Sequence, residues 1–173
     1  MRQATRRLLK MRPGARVISK VEYRPHPEAQ GNQCYKNALA EQRRSGNMVI
    51  AGWIVGNYFK DADSTPIMFH FWNITDTGEH YDTTPAVADR SDQQFEFVED
   101  QDVYFKSFEW SQENLDGDWH FPPALKIRSR SVNMCVREPG LGSPGKDFRW
   151  IDLQEQPITI EQMLNIRQMC MAN

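Results

Sequence analysis

Three side chains of this 173-residue chain have the types and the order that thiol chemistry needs: Cys34, His70 and Asp82. Cys34 opens a run of helix formers that continues to Arg44 and is followed by Gly46 as a stop. A cysteine at a helix start faces the positive end of the macrodipole and the first backbone amides, the setting in which thiols serve as thiolate nucleophiles. Those amides can also hold an oxyanion. A histidine beside the thiol would complete an ion pair and later protonate a leaving group, while a carboxylate on its far ring nitrogen would fix the tautomer. Each piece alone is weak, since a single cysteine near a helix start is more often a small buried residue, and a lone histidine in an apolar strand more often a satisfied core residue.

The elements that must position these groups can be read from pattern. After the Pro13-Gly14 breaker, Val17, Val21 and Tyr23 alternate with polar neighbours as a first strand. The apolar run Met48 to Val55 has the length of a central strand covered on both faces. Ile67 to Ile74 forms the next strand and joins Glu79 to Thr83 through Thr75-Asp-Thr-Gly78, a hairpin signal. If that turn sets Thr75 opposite Glu79, Trp72 faces Asp82 and His70 faces Thr84. His70 and Asp82 are then diagonal neighbours on one face, roughly 7 to 8 Å apart at the backbone and within reach of each other's side chains. A slip of one residue would separate them. Further along, strands are expected at Gln93 to Val98, within Val103 to Trp110, and as one long stretch from Ala124 to Val136. Pro139 to Lys146 reads as a loop, and a final helix as running from about Ile160 to Met171, with Thr159 and Gln162 as its capping box.

Taken together, Gly31-Asn-Gln-Cys34-Tyr-Lys-Asn37-Ala, Ala51-Gly-Trp53, Phe69-His70-Phe-Trp72-Asn73 and Glu79-His-Tyr-Asp82-Thr-Thr-Pro85 resemble the papain-like and transglutaminase-like cysteine peptidase and amidase superfamily. Within it, the likeness is to small bacterial proteins with a C-H-x-N, G-W, H-x-W and D-x-T-P pattern, with Tyr35 here in place of the histidine. The resemblance spans about residues 17 to 105. It implies an α+β fold with a papain-like core, in which a Cys-bearing helix packs on an antiparallel β-sheet; residues 111–173, which it does not explain, are expected as a C-terminal extension of that core. It implies Cys34 as nucleophile, His70 as general base and acid, and Asp82 as the residue orienting His70. Asn73 is the rival orienting group if the register differs. Gln33 is a candidate for side-chain help to the oxyanion, as is Gln30, although neither has the six-residue upstream spacing of papain-type enzymes; the backbone amide of Cys34 is the stronger donor. Asn37, one turn after Cys34, braces the loop before the helix. Trp53 and Trp72 are read as core residues or as the walls of a substrate pocket. The implied activity is a thiol-dependent hydrolase or acyl transferase, a peptidase, amidase or deamidase, acting on a peptide, protein or small amide substrate.

Composition limits the alternatives. Nine Phe, five Trp and five Tyr supply enough apolar material for a real core, which excludes disorder of the whole chain. No apolar run approaches the roughly 18 residues of a membrane-spanning helix, so no membrane partner is expected. Cys34, Cys135 and Cys170 are odd in number and widely spaced, which points to a reducing, cytoplasmic setting, with Cys135 and Cys170 as inert packing residues. No cofactor is expected, because the Gly140 to Gly145 stretch lacks the ending and context of a phosphate loop. A metal held by His70, His80 and Asp82 or Asp76 lacks a third nitrogen or sulfur ligand.

Residues 1–24 carry eight Lys or Arg against Glu22, a net +7, so the total of −2 leaves −9 on the remainder. Residues 1–15 are therefore expected as a basic flexible arm ahead of one domain spanning 16–173. Two other classes of function stay open: a non-enzymatic interaction or inhibitor protein on the same fold, and nucleic-acid binding through the basic N-terminus with Lys126, Arg128 and Arg130. The acidity of the remainder weighs against the latter.

Overall fold

The strongest apolar run becomes the centre of the molecule. In the computed structural model, which describes residues 1–31, 33–56, 64–85, 95–103, 125–128, 131–137, 148–163 and 165, β3 (Met48–Val55) is buried at every position but the first. It lies between two antiparallel neighbours, β4 (Ser64–Ile74) and β6 (Glu96–Glu99). β1 (Arg16–Ile18) closes one edge against β6. On the other side, β7 (Leu125–Arg128), β8 (Val132–Arg137) and β9 (Phe148–Leu153) continue the sheet from β4, all antiparallel. β5 (His80–Asp82) pairs with the end of β4 and, in parallel, with β2 (Glu22–Tyr23). The chain is thus α+β with an antiparallel-rich sheet.

Alternation along β3 divides the core. Val49, Ala51, Trp53 and Val55 face a large cluster with Phe69, Phe71 and the helices α1 (Gln3–Met11) and α2 (Cys34–Ser45), whereas Ile50 and Ile54 face a smaller one with Trp72 and Phe97. α2 stops where the sequence predicts: Gly46 has φ +79° and its N–H reaches the Gln42 carbonyl at 2.8 Å. The capping box also forms, Thr159 N–H donating to Gln162 Oε1 and Gln162 N–H to Thr159 Oγ1.

Three expectations are corrected. Residues 3–11 of the supposed flexible arm are helix α1, with Ala4, Leu8 and Met11 in the main core. Arg12, itself buried, forms a two-pronged pair with Asp100, reaches Asp102 at 2.8 Å and donates to the Ile158 carbonyl. Arg7 pairs with Glu155, Arg16 with Glu99, and Arg24 with Glu22 and Glu79, so basic residues of the N-terminal segment meet acids, most of them from the acidic remainder of the chain. The expected single stretch from Ala124 to Val136 is instead two paired strands, β7 and β8. The C-terminal segment also contributes β9, for which no strand was expected, and its strands belong to the same sheet as the core. The expected strand within Val103 to Trp110, the loop at Pro139 to Lys146 and Cys170 lie largely or wholly outside the described residues, as do the side chains of Cys135, Lys126, Arg128 and Arg130.

Candidate active site

The β4–β5 hairpin has the register that the three-residue turn predicts. Thr75 N–H donates to the Glu79 carbonyl at 3.0 Å, Gly78 takes φ +85° within the turn, and Ile74 faces His80 and Asn73 faces Tyr81. Only glycine adopts such a φ without strain. Two residues on, β5 leaves β4 for β2: Tyr23 pairs with Asp82, and Arg24 N–H donates to the Asp82 carbonyl at 2.8 Å. His70 and Asp82 are left on one face, and the Nε2 of the imidazole meets Asp82 Oδ2 at 2.7 Å. The other carboxylate oxygen accepts the backbone N–H of Thr84 at 2.9 Å. Both residues are buried, at 5% and 1% exposure, so this bond is shielded from competing water.

Burial opposes charge on the His70 ring, yet its pKa is raised to about 10. The negative charge of Asp82, the approach of Cys34 and hydrogen bonds to both outweigh the desolvation. The thiol of Cys34 therefore stands within interaction range of the imidazole, and with Nε2 engaged by Asp82 the nitrogen left for it is Nδ1. The ring is further held by Trp72, stacked at 6.4 Å between centroids, and by the edge of Phe97 at 5.9 Å. β4 is bonded to β7 over Ser64–Ile67 and to β5 at Asn73 and Ile74, so His70 lies in a stretch of that edge with no strand partner among the described residues. Cys34 is the first residue of α2, ahead of the first intrahelical bond, Asn37 N–H to the Gln33 carbonyl at 2.9 Å.

The supporting residues sort differently from one another. Asn37 braces the loop before α2 from both sides, accepting Gln30 N–H at 3.0 Å and donating to the Gln30 carbonyl at 2.8 Å. Gln33 gives its side-chain N–H to Gln30 Oε1, an exposed bond within that loop. Asn73 lies on the opposite face from His70 and donates to the Ala38 carbonyl of α2, so the side chain hydrogen-bonded to His70 is that of Asp82 and not of Asn73. Trp53 and Trp72 are fully buried, on the core side of the two readings. The indole of Trp53 donates to Asp100 and that of Trp72 to His80 Nδ1, so both serve the core. Among the described residues no group of three His, Cys, Asp or Glu side chains could hold a metal ion, and no helix is long and apolar enough to cross a membrane.

Two residues near the site that the sequence reading did not single out support it in three dimensions. Gly52 faces His70 across the β3–β4 ladder, and a Cβ there would run into the Val98 carbonyl oxygen and approach Trp72 at 2.9 Å. The Ala51-Gly-Trp53 motif thus reflects the close passage of β6 and of the indole that stacks on His70. Thr84 fixes the Asp82 carboxylate through its backbone; an aspartate two residues before Thr84-Pro85 carries the sequence signal for such a turn. No family model, curated protein or solved structure significantly matches the chain.

Proposed function

We propose that the chain is a thiol-dependent acyl-transfer enzyme of papain-like type, with Cys34 as nucleophile, His70 as acid and base, and Asp82 as the group orienting His70. The observation that carries this reading is the convergence of three elements on one buried imidazole: a carboxylate at 2.7 Å on Nε2 and a helix-start thiol beside the ring. An imidazolium supplies the counter-charge a thiolate needs, and a carboxylate behind it prevents the wrong tautomer.

In the reaction, Cys34 Sγ forms a bond to the carbonyl carbon of a carboxamide or peptide. The carbonyl oxygen takes the negative charge beside the Cys34 backbone N–H and the positive end of α2. As the tetrahedral intermediate collapses, the C–N bond breaks and the His70 ring gives its proton to the departing amine. His70, now neutral, draws a proton from water, whose oxygen attacks the thioester and releases the acid and the thiol. Hydrolysis, deamidation and transamidation differ only in the acceptor and share every residue named here.

The test is the rate of iodoacetamide alkylation against pH, read by mass spectrometry at each cysteine in wild type and His70→Ala. Fast labelling of Cys34 at about pH 6, far below the free-thiol pKa of about 8.5, and its loss in the variant are expected. Labelling of Cys34 no faster than that of Cys135 and Cys170 would overturn the reading and favour a non-enzymatic interaction protein.

A further inference from the structure

The nucleophile and its histidine sit on different elements, so something must hold α2 in register with the His70–Asp82 pair. Among the described residues, side-chain links tie α2 to β4, to β5 and to the residues just after β5. Asn73 of β4 donates to the Ala38 carbonyl, and Tyr81 of β5 donates to Glu41 Oε1 at 2.8 Å, both at least one turn beyond the start of the helix. A further link is at the start itself. Asn37, on the same face of α2 as Cys34 and one turn later, donates from Nδ2 to Thr84 Oγ1 at 3.4 Å. Thr84 is also the residue whose backbone N–H holds Asp82 Oδ1. Asn37 and Thr84 are both buried, at 8% and 3% exposure.

Resting on the catalytic reading above, we infer that Asn37 and Thr84 form a positioning clamp that sets the distance between Cys34 and His70. The chain of contacts runs from the helix through Asn37 Nδ2 to Thr84 Oγ1, through the Thr84 N–H to Asp82, and through Asp82 to His70 Nε2. The side-chain hydrogen bonds that involve them, among the described residues, go to Gln30, to each other and to Asp82, and none goes to Cys34 or His70. The chemistry explains the residue types: at position 37 the side chain must accept from Gln30 N–H while donating to the Gln30 carbonyl and to Thr84, and an amide does all three. Aspartate has the same shape but no N–H to donate. At position 84 the hydroxyl accepts from the helix while the backbone serves Asp82, so two tasks meet in one residue.

The decisive variant is Thr84→Val, which keeps the shape and the backbone N–H but removes the hydroxyl; Thr84→Ser restores it. The measurement is the pH profile of Cys34 alkylation by iodoacetamide, with thermal melting alongside. The clamp predicts that Thr84→Val lowers the rate at about pH 6 by about tenfold while labelling at pH 9 stays close to wild type, and that Thr84→Ser regains most of the loss. A Thr84→Val profile that matches wild type while His70→Ala abolishes low-pH labelling would overturn the clamp and leave the catalytic reading intact. Wild-type protein without low-pH labelling would instead remove the catalytic reading. Should Thr84→Val fail to fold, Asn37→Asp tests the same link, and an unchanged profile there would equally contradict the clamp.

Discussion

A histidine held protonated in a buried site ties the chemistry of His70 to the stability of the fold. Its pKa rises from the ordinary 6.5 to about 10, with burial opposing and Asp82 and Cys34 favouring the charge. The folded state therefore binds the proton more tightly than the unfolded chain does. That contribution is fully present below pH 6.5 and is lost as pH climbs through about 10. The denaturation midpoint of wild type relative to His70→Gln should accordingly shrink across that window; a pH-independent gap would mean that His70 is neutral when folded. At this scale the sequence was informative. The meeting of His70 with Asp82 rather than Asn73 was legible from the three-residue turn alone, which sets the register of the hairpin. For Trp53 and Trp72 the sequence leaves core and pocket wall both open, because an indole serves either, and the full burial of both is what favours the core.

Local elements were legible where local chemistry decides them. The hairpin register follows from a three-residue turn with glycine in the left-handed region, α2 ends at Gly46, and the Thr159–Gln162 box closes on itself. Elements whose evidence lies far away in the chain were not. The apolar stripe of α1 comprises Ala4, Leu8 and Met11 among three basic residues, and the partner of Arg12 that fastens it is Asp100, 88 positions distant. β7 and β8 read as one strand because Ser129-Arg-Ser131 between them contains no Gly, Pro or Asn to announce a turn. The parallel pairing of β2 with β5 has no sequence signal at all, yet it draws β5 away from β4 just where Asp82 must reach His70.

At the scale of the molecule, the charge division of the chain is an internal complementarity. Arg7, Arg12 and Arg16 each meet an acid from the remainder, and the Arg12–Asp100 pair is almost wholly enclosed, shared with the indole of Trp53 behind the central strand. Removing one partner of such a pair strands the other in a site without water, so Arg12→Ala should cost about 3 kcal/mol in urea unfolding. A loss below about 1 kcal/mol would mean that α1 is not docked as described. The last segments are fastened to the same place, since Ile158 N–H donates to the Met11 carbonyl and its own carbonyl accepts from Arg12. The first and last parts of the described chain thus brace the sheet that carries the site. The claim on which the site depends is that one imidazole is shared between Asp82 and Cys34, and the nitrogen-15 shifts of the His70 ring across pH report it directly. Both ring nitrogens should keep the imidazolium signature through neutral pH with a midpoint near 10, falling markedly in Asp82→Asn. A midpoint near 6.5, unmoved by that substitution, would contradict it.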